Sequence, residues 1–68
     1  MNKALRVRRG IKVILKYEPE ADVCAEHDIF YCGDTDLPDK MTPEDKAIME
    51  DIFGWHICSD IGGWGIFV

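Results

Sequence analysis

Residues 42–54 carry helix punctuation at both ends, and this constrains the chain more than any other stretch. Thr42 can accept a backbone hydrogen bond as N-cap, and Pro43 fits the first helical position because its missing N–H has no partner there anyway. Glu44 and Asp45 meet the positive end of the helix dipole. Thr42 and Asp45 also approximate a capping box, with Asp in place of Glu. Ile48, Met49, Ile52 and Phe53 recur at helical spacing, while Glu44, Asp45, Glu50 and Asp51 lie away from that stripe. Gly54 is the natural stop. With one such helix in a chain of 68 residues, the flanks must supply the rest of the core.

Both flanks read as strands. Residues 11–17 (Ile-Lys-Val-Ile-Leu-Lys-Tyr) place Ile11, Val13, Leu15 and Tyr17 on one face and Lys12, Ile14 and Lys16 on the other. Arg6 and Arg8 extend the basic face, and Gly10 marks a bulge. Residues 18–22 form an acidic loop. Residues 27–32 (His-Asp-Ile-Phe-Tyr-Cys) predict a second short strand, apolar on both faces and therefore interior to the sheet. Residues 33–40 are a loop rich in Gly, Asp and Pro. Residues 55–59 and 64–68 predict a hairpin around Asp60-Ile61-Gly62-Gly63. In that register Ile57 faces Ile66, Ser59 faces Trp64, His56 faces Phe67 and Cys58 sits opposite Gly65. The expected fold is α+β, in the order β-β-α-β-β: a four-stranded, mainly antiparallel sheet with one helix on one face. Trp55, Trp64, Phe53 and Ile57 belong to its core.

Length permits one domain, residues 1–68. A chain this short buries only about 60 % of its unfolded surface, leaving a thin stability margin and little structure to enclose a deep cleft. This favours a binding surface over an active site, and no catalytic residues or cofactor are expected. The apolar fraction of 47 % argues against disorder. No signal peptide is visible and no apolar run is long enough for a membrane span, so the expected setting is cytoplasmic. Three Cys, an odd count without scaffold-like spacing, fit reduced thiols.

Charge is distributed unevenly. Six of the eight Lys and Arg (Lys3, Arg6, Arg8, Arg9, Lys12 and Lys16) fall in the first 16 residues, which hold no acid. The other 52 residues hold all 13 acids against Lys40 and Lys46, a balance of −11. Fields of this size select oppositely charged partners, although a basic edge strand and acidic loops also serve solubility.

Several chemistries can be weighed on the residues. Cys24, His27, Cys32, His56 and Cys58 could ligate a metal and staple a small fold, yet the chain has neither a CxxC nor an HxxxH unit. His56 and Cys58 form too generic a pair to indicate nucleophilic catalysis. Asp28, Asp34 and Asp36 lack the order of a calcium loop. Direct nucleic-acid binding by Arg6, Arg8, Arg9, Lys12 and Lys16 is opposed by the acidic remainder, and no aromatic residue interleaves with the arginines. The acids fit better. Glu18, Glu20, Asp22 and Glu26, with loop and helix acids, can imitate the spaced charge of a nucleic-acid backbone. The candidate partner-binding residues are Glu20, Asp22, Asp34, Asp36, Asp39, Glu44, Asp45, Glu50 and Asp51.

The segments Met41-Thr42-Pro43-Glu44-Asp45-Lys46, Gly54-Trp55-His56 and Trp64-Gly65-Ile66-Phe67-Val68 resemble short bacteriophage and prophage proteins in which an acid-capped helix leads to a Gly-Trp-His strand and a closing Trp-x-x-Phe strand. Residues 26–33 are similar to the strand before that helix. The resemblance implies a phage context, where small acidic proteins, among them anti-CRISPR proteins, inhibit host machinery. The expectation is a small acidic protein that binds and inhibits or modulates a host nucleic-acid-handling complex with a basic surface. Alternatives are a metal-stapled accessory protein and a homodimer that pairs basic and acidic faces.

Overall fold

A computed structural model of the chain describes residues 1–58 and 60–68. The elements run α1 (Lys3–Tyr17), β1 (Val23–Glu26), β2 (Ile29–Cys32), α2 (Leu37–Lys40), α3 (Pro43–Ala47), a π-helical turn (Ile48–Ile52), β3 (His56–Ile57) and β4 (Trp64–Phe67). The fold is α+β with a four-stranded antiparallel sheet in the order β1-β2-β4-β3.

The largest departure from expectation is at the N-terminal side, where the predicted strand 11–17 is the second half of a 15-residue helix. Val7, Gly10, Ile11, Ile14 and Tyr17 recur every three or four residues and turn toward the core, with Gly10 and Ile14 fully inside. Asn2 caps the helix by accepting a hydrogen bond from the Leu5 N–H at 2.9 Å. Gly10 is therefore not a bulge. It is a notch in α1 over which the Trp55 indole lies, and the indole Nε1–H donates to the Arg6 carbonyl at 2.9 Å.

The first sheet hairpin comes instead from residues 23–32. His27 and Asp28, expected as strand, form its two-residue turn with φ of 52° and 69°. Positive φ at both positions is the geometry whose twist matches paired strands. β2 lies between β1 and β4, the interior position its apolar sequence requires.

α3 begins as its sequence predicts, with the Thr42 hydroxyl accepting from the Asp45 N–H at 3.2 Å. The helix then widens through Ile48–Ile52, and Gly54, at φ 76°, ends it. The expected loop 33–40 contains the single turn α2. In the second hairpin His56 pairs with Gly65 and Ile57 with Trp64, a slip of two residues from the predicted register. A slip of two preserves the faces, so the His56 ring still lies diagonally against Phe67, with ring centres 5.3 Å apart. Ser59, expected opposite Trp64, lies outside the described residues.

Ile14, Cys32, Leu37, Met41, Met49, Trp55, Trp64 and Ile66 form one core between the helical segments and one sheet face. The Trp64 Nε1–H points at the Met41 sulfur, 3.0 Å away, which gives a buried polar hydrogen a partner. Phe53 packs at the edge of this cluster, whereas Ile57, predicted to be core, is 46 % exposed on the short edge strand β3. Among the described residues no helix is long and apolar enough to cross a membrane.

Candidate protein-binding surface at the acidic end

The helix α1 ends where Glu18 leaves the helical backbone, its N–H still donating to the Ile14 carbonyl at 2.9 Å. The Glu18 side chain then crosses to the loop after β2, where Oε1 accepts the Asp34 N–H at 2.9 Å. A second tie fastens the same two loops, because the Gly33 N–H donates to the Asp22 carbonyl at 3.2 Å. Gly33 has φ 88°, a conformation that side chains disfavour, and this turns residues 34–36 back toward Glu18.

Carboxylate oxygens of Glu18, Asp34 and Asp36 consequently lie within 4.8 Å of one another. Two adjoining open hollows share Asp22 and Asp34 as walls. One, of about 440 Å³, also carries Glu18 and Glu20; the other, of about 470 Å³, carries Asp36, Tyr31 and Ile61. Only Lys40 answers this charge among the described residues, 3.4 Å from Asp36 one helical turn away. Like charges at this spacing repel by about 1 kcal/mol per pair in water, and an incoming cation relieves that repulsion. An all-oxygen trio also suits a hard cation, although Asp36 already has Lys40 beside it.

The nine candidate acids divide. Glu20, Asp22, Asp34 and Asp36 gather around the hollows, and Glu18, outside that set, is the residue that joins them. Asp39, Glu44, Glu50 and Asp51 are exposed on the helical segments. Asp45 is a correction. Its carboxylate is only 16 % exposed, lies 2.6 Å from Lys16 Nζ and accepts the Tyr17 hydroxyl, so it faces α1 and is not free for a partner. The hydrogen bond from Lys16, reinforced by that from Tyr17, holds Asp45 below the usual carboxylate range.

The Lys16–Asp45 pair is the one ion pair between α1 and the rest of the chain among the described residues. Lys3, Arg8, Arg9 and Lys12 are exposed and form no ion pair among the described residues. Among the described residues no cation of α1 therefore pairs with an acid of the loops that carry Glu18, Glu20, Asp22, Asp34 and Asp36.

The five possible soft ligands are scattered. Cys24 and His27 are exposed on β1 and its turn, His56 and Cys58 are half-buried, and Cys32 faces the core, where burial pushes its thiol up. Among the described residues only the Glu18, Asp34 and Asp36 trio brings three potential ligand atoms together. No protein-family model, curated protein or solved structure matches this chain.

Proposed function

We propose that this chain is a small interaction protein whose acidic end seats on a basic surface of a partner, of the kind by which nucleic-acid-handling complexes hold phosphates. Seated there it blocks or modulates nucleic-acid access, in keeping with the phage-type resemblance of residues 26–68. The observation that carries this reading is the convergence of Glu18, Glu20, Asp22, Asp34 and Asp36 on adjoining hollows while the cations of α1 stay elsewhere. Spaced carboxylates on a fixed scaffold meet arginines and lysines much as a phosphate backbone does, and two loops tied to one another supply the fixed spacing.

The test is capture from a bacterial lysate with wild-type protein and with the Asp22→Asn/Asp34→Asn/Asp36→Asn variant, at low and raised salt. The expected partner binds wild type, is lost from the variant and at raised salt, and releases a bound oligonucleotide when the protein is added. Equal capture by the variant would refute the acidic end as the contact.

A further inference from the structure

A second surface lies on the opposite charge. Arg8, Arg9 and Lys12 project from the solvent side of α1, where 100° per residue places them on one broad stripe. Between them lies an open hollow of about 660 Å³ with an apolar floor that includes Val13, Leu15 and Phe53. Leu15 is 41 % exposed, and Phe53 reaches the floor from just after the π-helical turn, 41 positions beyond Lys12 in the chain.

We propose that this hollow binds single-stranded nucleic acid, with phosphates on Arg8, Arg9 and Lys12 and a base laid against Phe53 and its aliphatic neighbours. The combination is the one single-strand binders use: cations that track a backbone beside an aromatic face that accepts any base. The aromatic partner absent from the basic segment of the sequence is supplied by the fold. A duplex buries its bases and could use the cations but not the floor.

The acidic remainder does not cancel this surface. Glu18, the nearest acid of the acidic end along the chain, is ten residues from Arg8 and six from Lys12, about 15 and 9 Å along the helix axis, so physiological salt with its 8–10 Å screening length shields the two arginines from it and Lys12 only in part. Asp45 is paired with Lys16, and among the described residues Glu50 and Asp51 form no ion pair with α1. This proposal is independent of the one for the acidic end.

Fluorescence anisotropy with a labelled oligothymidine strand tests it, alongside a duplex of equal length and vesicles containing an anionic lipid. The expected result is binding of the single strand in the range of about 10⁻⁴ to 10⁻⁶ M, with log K falling against log salt at a slope of about −2 for three phosphate contacts. The Arg8→Gln/Arg9→Gln/Lys12→Gln variant, altered only at exposed positions, should abolish binding. Phe53→Leu should weaken it about tenfold, and Phe53→Tyr should preserve it. The Asp22→Asn/Asp34→Asn/Asp36→Asn variant should bind as wild type does. Unchanged binding by the triple glutamine variant overturns the proposal, as does a duplex bound at least as tightly, binding to vesicles alone, or loss of binding in the acidic-end variant.

Discussion

At Asp45 the protein converts a surface acid into a structural one. The carboxylate lies beside Lys16 and accepts the Tyr17 hydroxyl, so its ionised form is favoured in the folded state and its affinity for a proton falls below the ordinary value of about 3.9. A depressed acid contributes stability that is complete above the unfolded value and is lost as pH falls through the folded one. Asp45→Asn should therefore lower stability near neutral pH, and the gap from wild type should close as acid protonates the native carboxylate. Urea titrations at a series of pH values from about 3 to 7 check this; a gap independent of pH would show that the pair plays no such part. Lys16 is 60 % exposed, which keeps the effect modest. The sequence shows Asp45 as the third residue after a cap and so as a surface acid. Its true partners, Lys16 and Tyr17, lie more than 25 positions upstream and become neighbours only by packing.

Among the elements, α3 is the one its own residues announce, because cap, proline and stop glycine are all local signals. α1 is different. Within seven residues a two-residue and a 3.6-residue period are hard to separate, and Ile and Val favour the strand reading. The longer spacing of Val7, Gly10, Ile14 and Tyr17 resolves it, but Gly10 counts as a core position only once Trp55 is known to lie on it. This makes a sharp prediction. Alanine in place of a mid-helix glycine ordinarily stabilises by about 1 kcal/mol. Here the new methyl group would collide with the indole ring, so Gly10→Ala should destabilise by about 1–3 kcal/mol. Equilibrium urea unfolding measures it, and a stabilised variant would show that the tryptophan does not occupy the notch. The hairpin register was open to error for a related reason: nothing in residues 58–63 specifies where strand pairing resumes, and a slip of two leaves every apolar residue on its proper face.

For the whole molecule, small size makes each layer indispensable. Ile14, which α1 itself contributes to the core, is fully buried, and α1 covers Trp55, which is 2 % exposed. A chain lacking residues 1–17 should lose the cooperative thermal transition and bind a dye that reports exposed apolar surface. A sharp transition retained without that helix would mean the sheet and short helices are a sufficient core. The charge division was legible early because it follows the linear order of the chain: six of the eight cations in one helix, and all the acids in the loops and segments after it. The gathering of Glu18 with Asp34 and Asp36, and of Phe53 with Arg8 and Arg9, was not, since each joins segments remote in sequence.

Residues 64–67 occupy the slot between β2 and β3, strands that precede them in the chain. During synthesis the sheet therefore stays open until Phe67 clears the ribosome, with β2 and β3 waiting for the strand that joins them. Up to that moment the emerging polypeptide has its cations and its acids but no completed sheet behind them, and the seating of the fourth strand is the event that turns a charged thread into a body with two faces.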